Sequence, residues 1–307
     1  MMRITVIHNP TSGFDQFSKD ALLNEVRDQD YEPVYQVSKA DNLASVLKNP
    51  GGFVLVAGGD GTIGKVAKYL AGRDIPVALF PLGTANNVAK TLAAFGHDGQ
   101  QIPRRALLHQ TKACDVGHAT GTWGEQMFLE AVGCGVLADL VAAMASGQKK
   151  ERSSSTREDE IRYAFETLRD IVHSYRACAY RVTLDGEDHT GRYLFVEAMN
   201  IRSIGPNIEL ATEADPGDGL LDVVFLAEDD RELLADYIEC RLQGKTATLK
   251  ATIRRAKHIT ITPADELKAH IDDELVSLGA SASLEVRVQP GELKFLVQKI
   301  GTSRAGV

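Results

Sequence analysis

The sequence predicts a chain of two domains: an N-terminal α/β domain built on a parallel sheet, then a C-terminal domain of antiparallel β-strands, of sandwich type. Three observations carry this. In the first third, apolar runs end in glycine- or asparagine-rich loops followed by helical spacing, which is the rhythm of strand–loop–helix units. From about Ala113 onward, short strand-like runs separated by turn signals replace that rhythm, as in an antiparallel sandwich. The length of 307 residues also suits two cores better than one. The expected boundaries are 1–118, 119–290, and a closing strand and tail over 291–307.

The elements follow in order. Ile4 to Ile7 is a short β-prone run that ends in the turn-rich Asn9-Pro10-Thr11-Ser12-Gly13. Lys19 to Asp28 has helical spacing, with Leu22, Leu23 and Val26 on one face. Phe53 to Ala57 is almost wholly apolar, as expected of a strand covered on both faces. It leads into Gly58-Gly59-Asp60-Gly61-Thr62 and a helix from about Ile63 to Leu70. Pro76 to Phe80 is a second buried strand, ending in Pro81-Leu82-Gly83-Thr84-Ala85-Asn86-Asn87, with a helix through Leu92. In the second half, strands are expected at Gln126–Ala131, Ala179–Leu184, Tyr193–Met199, Leu221–Leu226, His258–Thr262, Leu284–Val288 and Leu293–Val297. Turns are expected at Asp185-Gly186 and Pro290-Gly291. The charged, serine-rich stretch Gln148–Glu160 reads as a solvated loop or helix start.

Composition narrows the function. A formal net charge of -8 gives no global basic footprint, which argues against nucleic acid as a partner. Arg254, Arg255 and Lys257 read as a solvated face. The four cysteines form no C-x-x-C pair, so they suggest buried thiols in a reducing compartment rather than a zinc site. The N-terminus lacks the apolar core of a signal peptide. The run Val136–Ala145 falls short of the roughly 20 residues that span a bilayer. A cytoplasmic protein without a transmembrane segment is expected. Val136–Ala145 and Leu233–Ile238 read first as core-facing helices and second as apolar faces for peripheral, transient membrane contact. The sequence carries no signature of an oligomeric state.

Three loops have the residues that phosphate binding needs. Gly58 to Thr62 lies between a strand end and a helix start. There glycines permit close backbone approach or positive φ, and the first helical N–H groups attract anions. Ligands of open α/β sheets bind at such strand ends. Asn9 to Gly13 is an ordinary turn when taken alone. In Leu82 to Asn87, Thr84 or Asn86 is placed to cap the following helix. Together the three loops predict a nucleotide pocket.

The motifs N-P-T-S-G, G-G-D-G-T and P-L-G-T-A-N, in this order and spacing, resemble the diacylglycerol kinase catalytic family, which includes bacterial lipid kinases, sphingosine kinases and ceramide kinases. Asp215-Pro216-Gly217-Asp218-Gly219-Leu220-Leu221-Asp222-Val223 is similar to the family's D-G-x-L-D-V segment. Ile271-Asp272-Asp273-Glu274 resembles its D-G-E triplet, and Pro290-Gly291-Glu292-Leu293 its closing strand pair. G-G-D-G-T also occurs in NAD kinases, but their further Gly/Ser/Thr-rich motif is absent here.

The resemblance implies an ATP- and Mg²⁺-dependent kinase acting on a lipid hydroxyl, with ATP on the first domain, lipid on the second and the site in the cleft between. It implies that Asn9, Pro10, Thr11, Ser12, Gly13, Gly58, Gly59, Asp60, Gly61, Thr62, Thr84 and Asn86 shape the nucleotide site, with Asp60 tied to Mg²⁺ through water. Asp272 and Glu274 are the candidates for general base; on an extended segment, positions i and i+2 face the same way, whereas the residues by themselves read as an exposed acidic hairpin tip. Asp215, Asp218 and the carbonyl of Leu220 are the implied Mg²⁺ ligands, oxygen donors of the kind that ion takes.

Three positions depart from the family pattern. Asn87 stands where an aspartate is usual. Ile63-Gly64-Lys65 replaces Leu-Asn-Glu. Asp273 replaces the central glycine of D-G-E, where a positive φ would favour Gly. Asn87 leaves one alternative beside the lipid kinase, a catalytically impaired protein that binds nucleotide or lipid, and the shared G-G-D-G-T leaves another, a kinase for a soluble polyol or dinucleotide.

Overall fold

The structure, a computed structural model, describes residues 1–12, 18–92, 111–146 and 156–297. Gly13 and most of the 148–160 stretch lie outside the described residues. The chain divides into two compact units, Met1–Cys114 with Leu293–Val307, and Asp115–Glu292.

The first unit holds β1 (Met2–His8), α1 (Lys19–Asp28), β2 (Tyr31–Val37), α2 (Leu43–Val46), β3 (Val54–Gly58), α3 (Asp60–Leu70), β4 (Pro76–Pro81) and α4 (Asn87–Thr91). β1 pairs in parallel with β2 and β3, and β3 pairs in parallel with β4. The end of the chain's last strand, β18 (Leu284–Leu296), adds to β4, with Lys294 opposite Pro76 and Phe295 opposite Val77. The apolar run Phe53 to Ala57 is buried throughout, and each such Val, Leu or Phe side chain stabilises the fold by roughly 1.5–3 kcal/mol. α1 starts at Ser18, whose Oγ accepts the Ala21 N–H at 3.1 Å, and it buries Leu22, Leu23 and Val26. α3 buries Ile63, Val66, Ala67 and Leu70, the i, i+3, i+4, i+7 stripe of a helix lying on a sheet. β2 escaped the sequence reading because it is an edge strand: most of it is half-exposed, and Pro33 is tolerated where a ladder partner is missing.

The second unit comprises β5 (Thr111–Gly121, entering from the first unit), β6 (Gly124–Phe128), β7 (Ala131–Gly135), α5 (Val136–Ser146), α6 (Arg157–Ser174), β8 (Cys178–Leu184), β9 (Glu187–Asp188), β10 (Gly191–Met199), β11 (Ser203–Ile204), β12 (Ile208–Glu209), β13 (Leu221–Ala227), α7 (Arg231–Leu242), β14 (Thr252–Ala256), β15 (His258–Pro263), β16 (Leu267–Ile271), β17 (Glu274–Leu278) and most of β18. Strands pair antiparallel along β17-β16-β7-β10-β8-β15-β18, with β13 on β10 and β14 on β13. Alternation along the strands builds two cores. On β10, Phe195 and Met199 face a core shared with α5, α6 and α7, whereas Val196 and Ala198 face the sandwich interior. On β13, Val224 and Leu226 join the first core, and Val223 and Phe225 the second.

Two expectations change. Gln126–Ala131 is not one strand; it divides between β6 and β7, and Leu129-Glu130 forms the bend between them. Pro290-Gly291 does not interrupt the chain's last strand: β18 runs through it, with Gly291 at φ 67 and its N–H given to Asp115. The run Val136–Ala145 lies in α5 and Leu233–Ile238 in α7, and both helices bury their apolar faces in the helix-side core. Among the described residues, no helix is long and apolar enough to cross a membrane.

Candidate active site

In the first unit the three loops are tied together by short-range chemistry. Asn9 donates its N–H to Ala57 O at 2.9 Å and accepts the Ser12 N–H at 3.0 Å, closing a turn with Pro10 and Thr11 at its centre. Its side-chain Oδ1 accepts from Thr11 Oγ1 at 2.9 Å, and its Nδ2 reaches Thr62 Oγ1 at 3.4 Å. Asn9 thus links the first loop to the first turn of α3. Lys39 Nζ, which the sequence reading missed, stands 3.5 Å from Thr11 Oγ1 and brings a cation to this loop.

Gly59 precedes α3 with φ -94, and neither Gly58, Gly59 nor Gly61 has positive φ. The glycines serve close approach instead. A Cβ on Gly59 would lie 2.9 Å from Gly83 Cα, and one on Gly83 2.5 Å from Gly59 Cα. A Cβ on Gly58 would meet Thr62 Oγ1 at 2.7 Å. The second and third loops therefore touch backbone to backbone.

Asp60 occupies the first turn of α3, yet its carboxylate caps the other helix. Oδ2 accepts the Asn87 N–H at 2.9 Å and Oδ1 the Val88 N–H at 3.1 Å, the opening amides of α4. Burial pushes this carboxyl up, against the two amides and Lys90, which pull it down. The expected cap by Thr84 or Asn86 is corrected here. Asn86 is at the cap position in the left-handed region, φ 54, and makes no side-chain cap bond. Its Oδ1 accepts the Gly83 N–H and its Nδ2 donates to Gly83 O, both at 2.8 Å, which pins the third loop. Thr84 is half-buried in that loop. Among the departures, Lys65 is exposed and Asn87 is buried.

In the second unit the acidic triplet is a hairpin tip, not an extended segment. Ile271 pairs with Glu274 across a two-residue turn of Asp272 and Asp273. The positive φ falls on Asp272, at 51, and not on Asp273, so the substitution of glycine at Asp273 strains nothing. Asp272 is half-buried, and its carboxylate accepts the N–H groups of Leu129 (3.0 Å), Glu130 (2.8 Å) and Ala131 (3.3 Å). Its own N–H goes to Ala131 O at 2.9 Å. Burial raises this carboxyl to about 6, although the three amides oppose the rise. Glu274 is exposed and its Oε2 accepts from Gln126 Nε2 at 2.7 Å. The two carboxylates therefore differ in setting: one is clamped by backbone amides, the other is exposed and bonded to Gln126.

The 215–222 loop is held by local bonds. Asp215 Oδ1 accepts the Gly217 N–H at 3.1 Å and Asp218 Oδ1 the Leu220 N–H at 3.0 Å. Asp115, 2% exposed, accepts Gly219 N–H at 2.7 Å and Gly291 N–H at 2.8 Å, anchoring the loop to β18. No motif flagged Asp115, the single acid of β5. Arg255 stands 3.8 Å from Asp218 Oδ2 and 3.3 Å from Asp222 Oδ1. Among the described residues no three His, Cys, Asp or Glu side chains converge on a cation position. Asp215, Asp218 and the Leu220 carbonyl are hard oxygen donors that fit a Mg²⁺ retaining several waters, in competition with Arg255.

Residues 3–119 match the diacylglycerol kinase catalytic domain, and residues 139–297 match the YegS C-terminal NAD kinase beta sandwich-like domain. The chain is 24% identical over 284 residues to the diacylglycerol kinase of Bacillus subtilis strain 168, covering 90% of this chain and 88% of that one. It is 30% identical over 253 residues to a Cronobacter sakazakii protein named "Probable lipid kinase YegS-like", covering 78% and 76%. A crystal structure of a diacylglycerol kinase from Bacillus anthracis strain Sterne shares the fold with a TM-score of 0.66 at 18% identity, covering 96% of this chain and 97% of that one. An α/β unit with parallel strands, an antiparallel β sandwich and both domain matches lead to one assignment: the chain belongs to the diacylglycerol kinase family of lipid kinases.

Proposed function

We propose that this protein transfers the γ-phosphoryl group of ATP to the hydroxyl of a lipid of the diacylglycerol, sphingoid or ceramide class. The observation that supports it most is the Asp60 bridge. It locks the glycine loop before α3 to the loop before α4, so the positive end of α3 and the adjoining third loop form a rigid phosphate cradle. Asn9, Pro10, Thr11 and Ser12 line it from the first loop, Gly58 to Thr62 from the second, and Thr84 and Asn86 from the third. Phosphoryl transfer asks chiefly for such positioning and for charge neutralisation.

In the proposed step, Glu274 takes the proton of the lipid hydroxyl as that oxygen forms its bond to the γ-phosphorus. The bond from phosphorus to the β–γ bridging oxygen breaks, and ADP leaves with the electron pair. Glu274 is preferred over Asp272 because a base must reach the proton it accepts, and the Asp272 oxygens are taken up by backbone amides. Mg²⁺, held by Asp215, Asp218 and the Leu220 carbonyl, would supply positive charge to the site. The test is ADP release with ATP, Mg²⁺ and a lipid panel in mixed micelles. Lipid-dependent ADP supports the proposal; its absence with every lipid overturns it.

A second reading, binding without transfer, draws on Asn87, which stands where the family carries an acid. It requires ATP binding with no turnover.

A further inference from the structure

Two ionisable side chains meet inside the second unit, next to the turn that carries the acidic triplet. His270 on β16 is 1% exposed and Glu197 on β10 is 0% exposed, with Nε2 and Oε2 2.8 Å apart. The other ring nitrogen, Nδ1, lies 3.0 Å from the backbone oxygen of Asp272. A carbonyl oxygen only accepts, so Nδ1 carries a hydrogen and donates it. One proton then occupies the Nε2–Oε2 bond, whether as imidazolium facing carboxylate or as neutral ring facing carboxylic acid. In both forms the bond from Nδ1 to Asp272 persists. Burial works against a charged ring, yet Glu197 holds His270 above its ordinary value.

The pair is costly. Glu197 Oε1 is buried with no hydrogen-bond partner, and such a group destabilises a core relative to an apolar side chain. Its space is cleared by Gly133 on β7, where a Cβ would lie 2.0 Å from Glu197 Oε2. A buried acid left with one unsatisfied oxygen, and given room by a glycine, calls for a role beyond packing.

We propose that His270, oriented by Glu197, is a positioning residue that fixes the turn from which Glu274 is presented. Asp272 is in the left-handed region at φ 51, a conformation disfavoured for a residue with a Cβ. It is held from three sides: its carbonyl by His270 Nδ1, its carboxylate by the Leu129–Ala131 amides, and its N–H by Ala131 O. Removing the ring releases the carbonyl and lets the turn relax, which displaces the residue that begins β17, Glu274. The inference rests on the reading of Glu274 as the base.

The experiment exploits the ring's two ends. An asparagine amide reproduces the Nδ1 donor and a glutamine amide the Nε2 end. His270→Asn and His270→Gln are each made with Glu197→Gln, so that no buried acid is left unpaired; Glu197→Gln alone is the reference. ADP release is followed with dioctanoylglycerol micelles, ATP and Mg²⁺, and amide hydrogen exchange is read at Leu129, Glu130 and Ala131. The expected result is a kcat at least ten-fold lower for His270→Gln, a KM for ATP within two-fold, faster exchange at the three amides, and recovery of both readouts by His270→Asn. Equal behaviour of the two variants overturns the proposal. The exchange pattern decides it even where the reference releases no ADP, an outcome that counts against the kinase reading alone.

Discussion

The carboxylate of Asp60, in the first turn of α3, accepts the N–H of Val88, in the first turn of α4, at 3.1 Å. One side chain thus serves two helices, and the glycine contact between Gly59 and Gly83 is the close approach that allows it. Asp60→Ala is expected to lose about 1–2 kcal/mol, the usual value of a helix cap, in urea unfolding. Activity should fall further than stability, because both loops lose their shared anchor. Unchanged ATP affinity in this variant would argue that the cradle does not bind phosphate.

Gly59→Ala tests the close approach. Its Cβ would meet Gly83 Cα at 2.9 Å, backbone against backbone, so one loop must move. The KM for ATP should rise about ten-fold or more, with the KM for lipid little changed. A variant with wild-type nucleotide binding would remove the glycine contact from the account.

Asp272 gives a pH dependence of defined sign. Its folded pKa, about 6, lies above the ordinary aspartate value of 3.8. Between these values the folded state holds the proton more tightly than the unfolded chain, so stability from this group is fully present below about pH 4 and is lost as pH rises through 6. Compared with Asp272→Asn, the wild type should lose roughly 1–3 kcal/mol over that window, seen as a difference in thermal midpoints. Activity runs the other way. The anion is the stronger acceptor for the Leu129–Ala131 amides, so kcat should fall below about pH 6, and Asp272→Asn should lose that inflection.

Asp218→Asn combined with Asp215→Asn removes the charge that the 215–222 loop offers a cation. The half-saturating Mg²⁺ concentration should rise about ten-fold or more, as read from ADP release across a Mg²⁺ titration. An unchanged titration would assign these acids to the turn alone, through their bonds to Gly217 and Leu220.

The parts legible in the sequence were those whose physics is local. β3 announced itself as an unbroken apolar run, α1 as a 3.6-residue stripe, and the turn before α3 as glycines between strand and helix. What stayed hidden depends on partners distant in the chain. The role of Asp60 as the cap of α4 needs a contact 28 residues away, and the clamp on Asp272 one 143 residues away. His270 and Glu197 lie on separate strands, 73 residues apart, and nothing local in either strand marks their pairing. The split of Gln126–Ala131 into β6 and β7 has the same cause: the bend at Leu129-Glu130 turns its amides toward Asp272.

The central claim is that an exposed Glu274, presented by the clamped Asp272 turn, takes a proton from a lipid hydroxyl. Its most direct test is lipid-dependent ADP release by the wild type beside Glu274→Gln. The expected result is turnover that falls at least a hundred-fold in the variant, the scale of a lost general base, with ATP binding retained. Full turnover by Glu274→Gln, or no lipid-dependent ADP from the wild type, would contradict it.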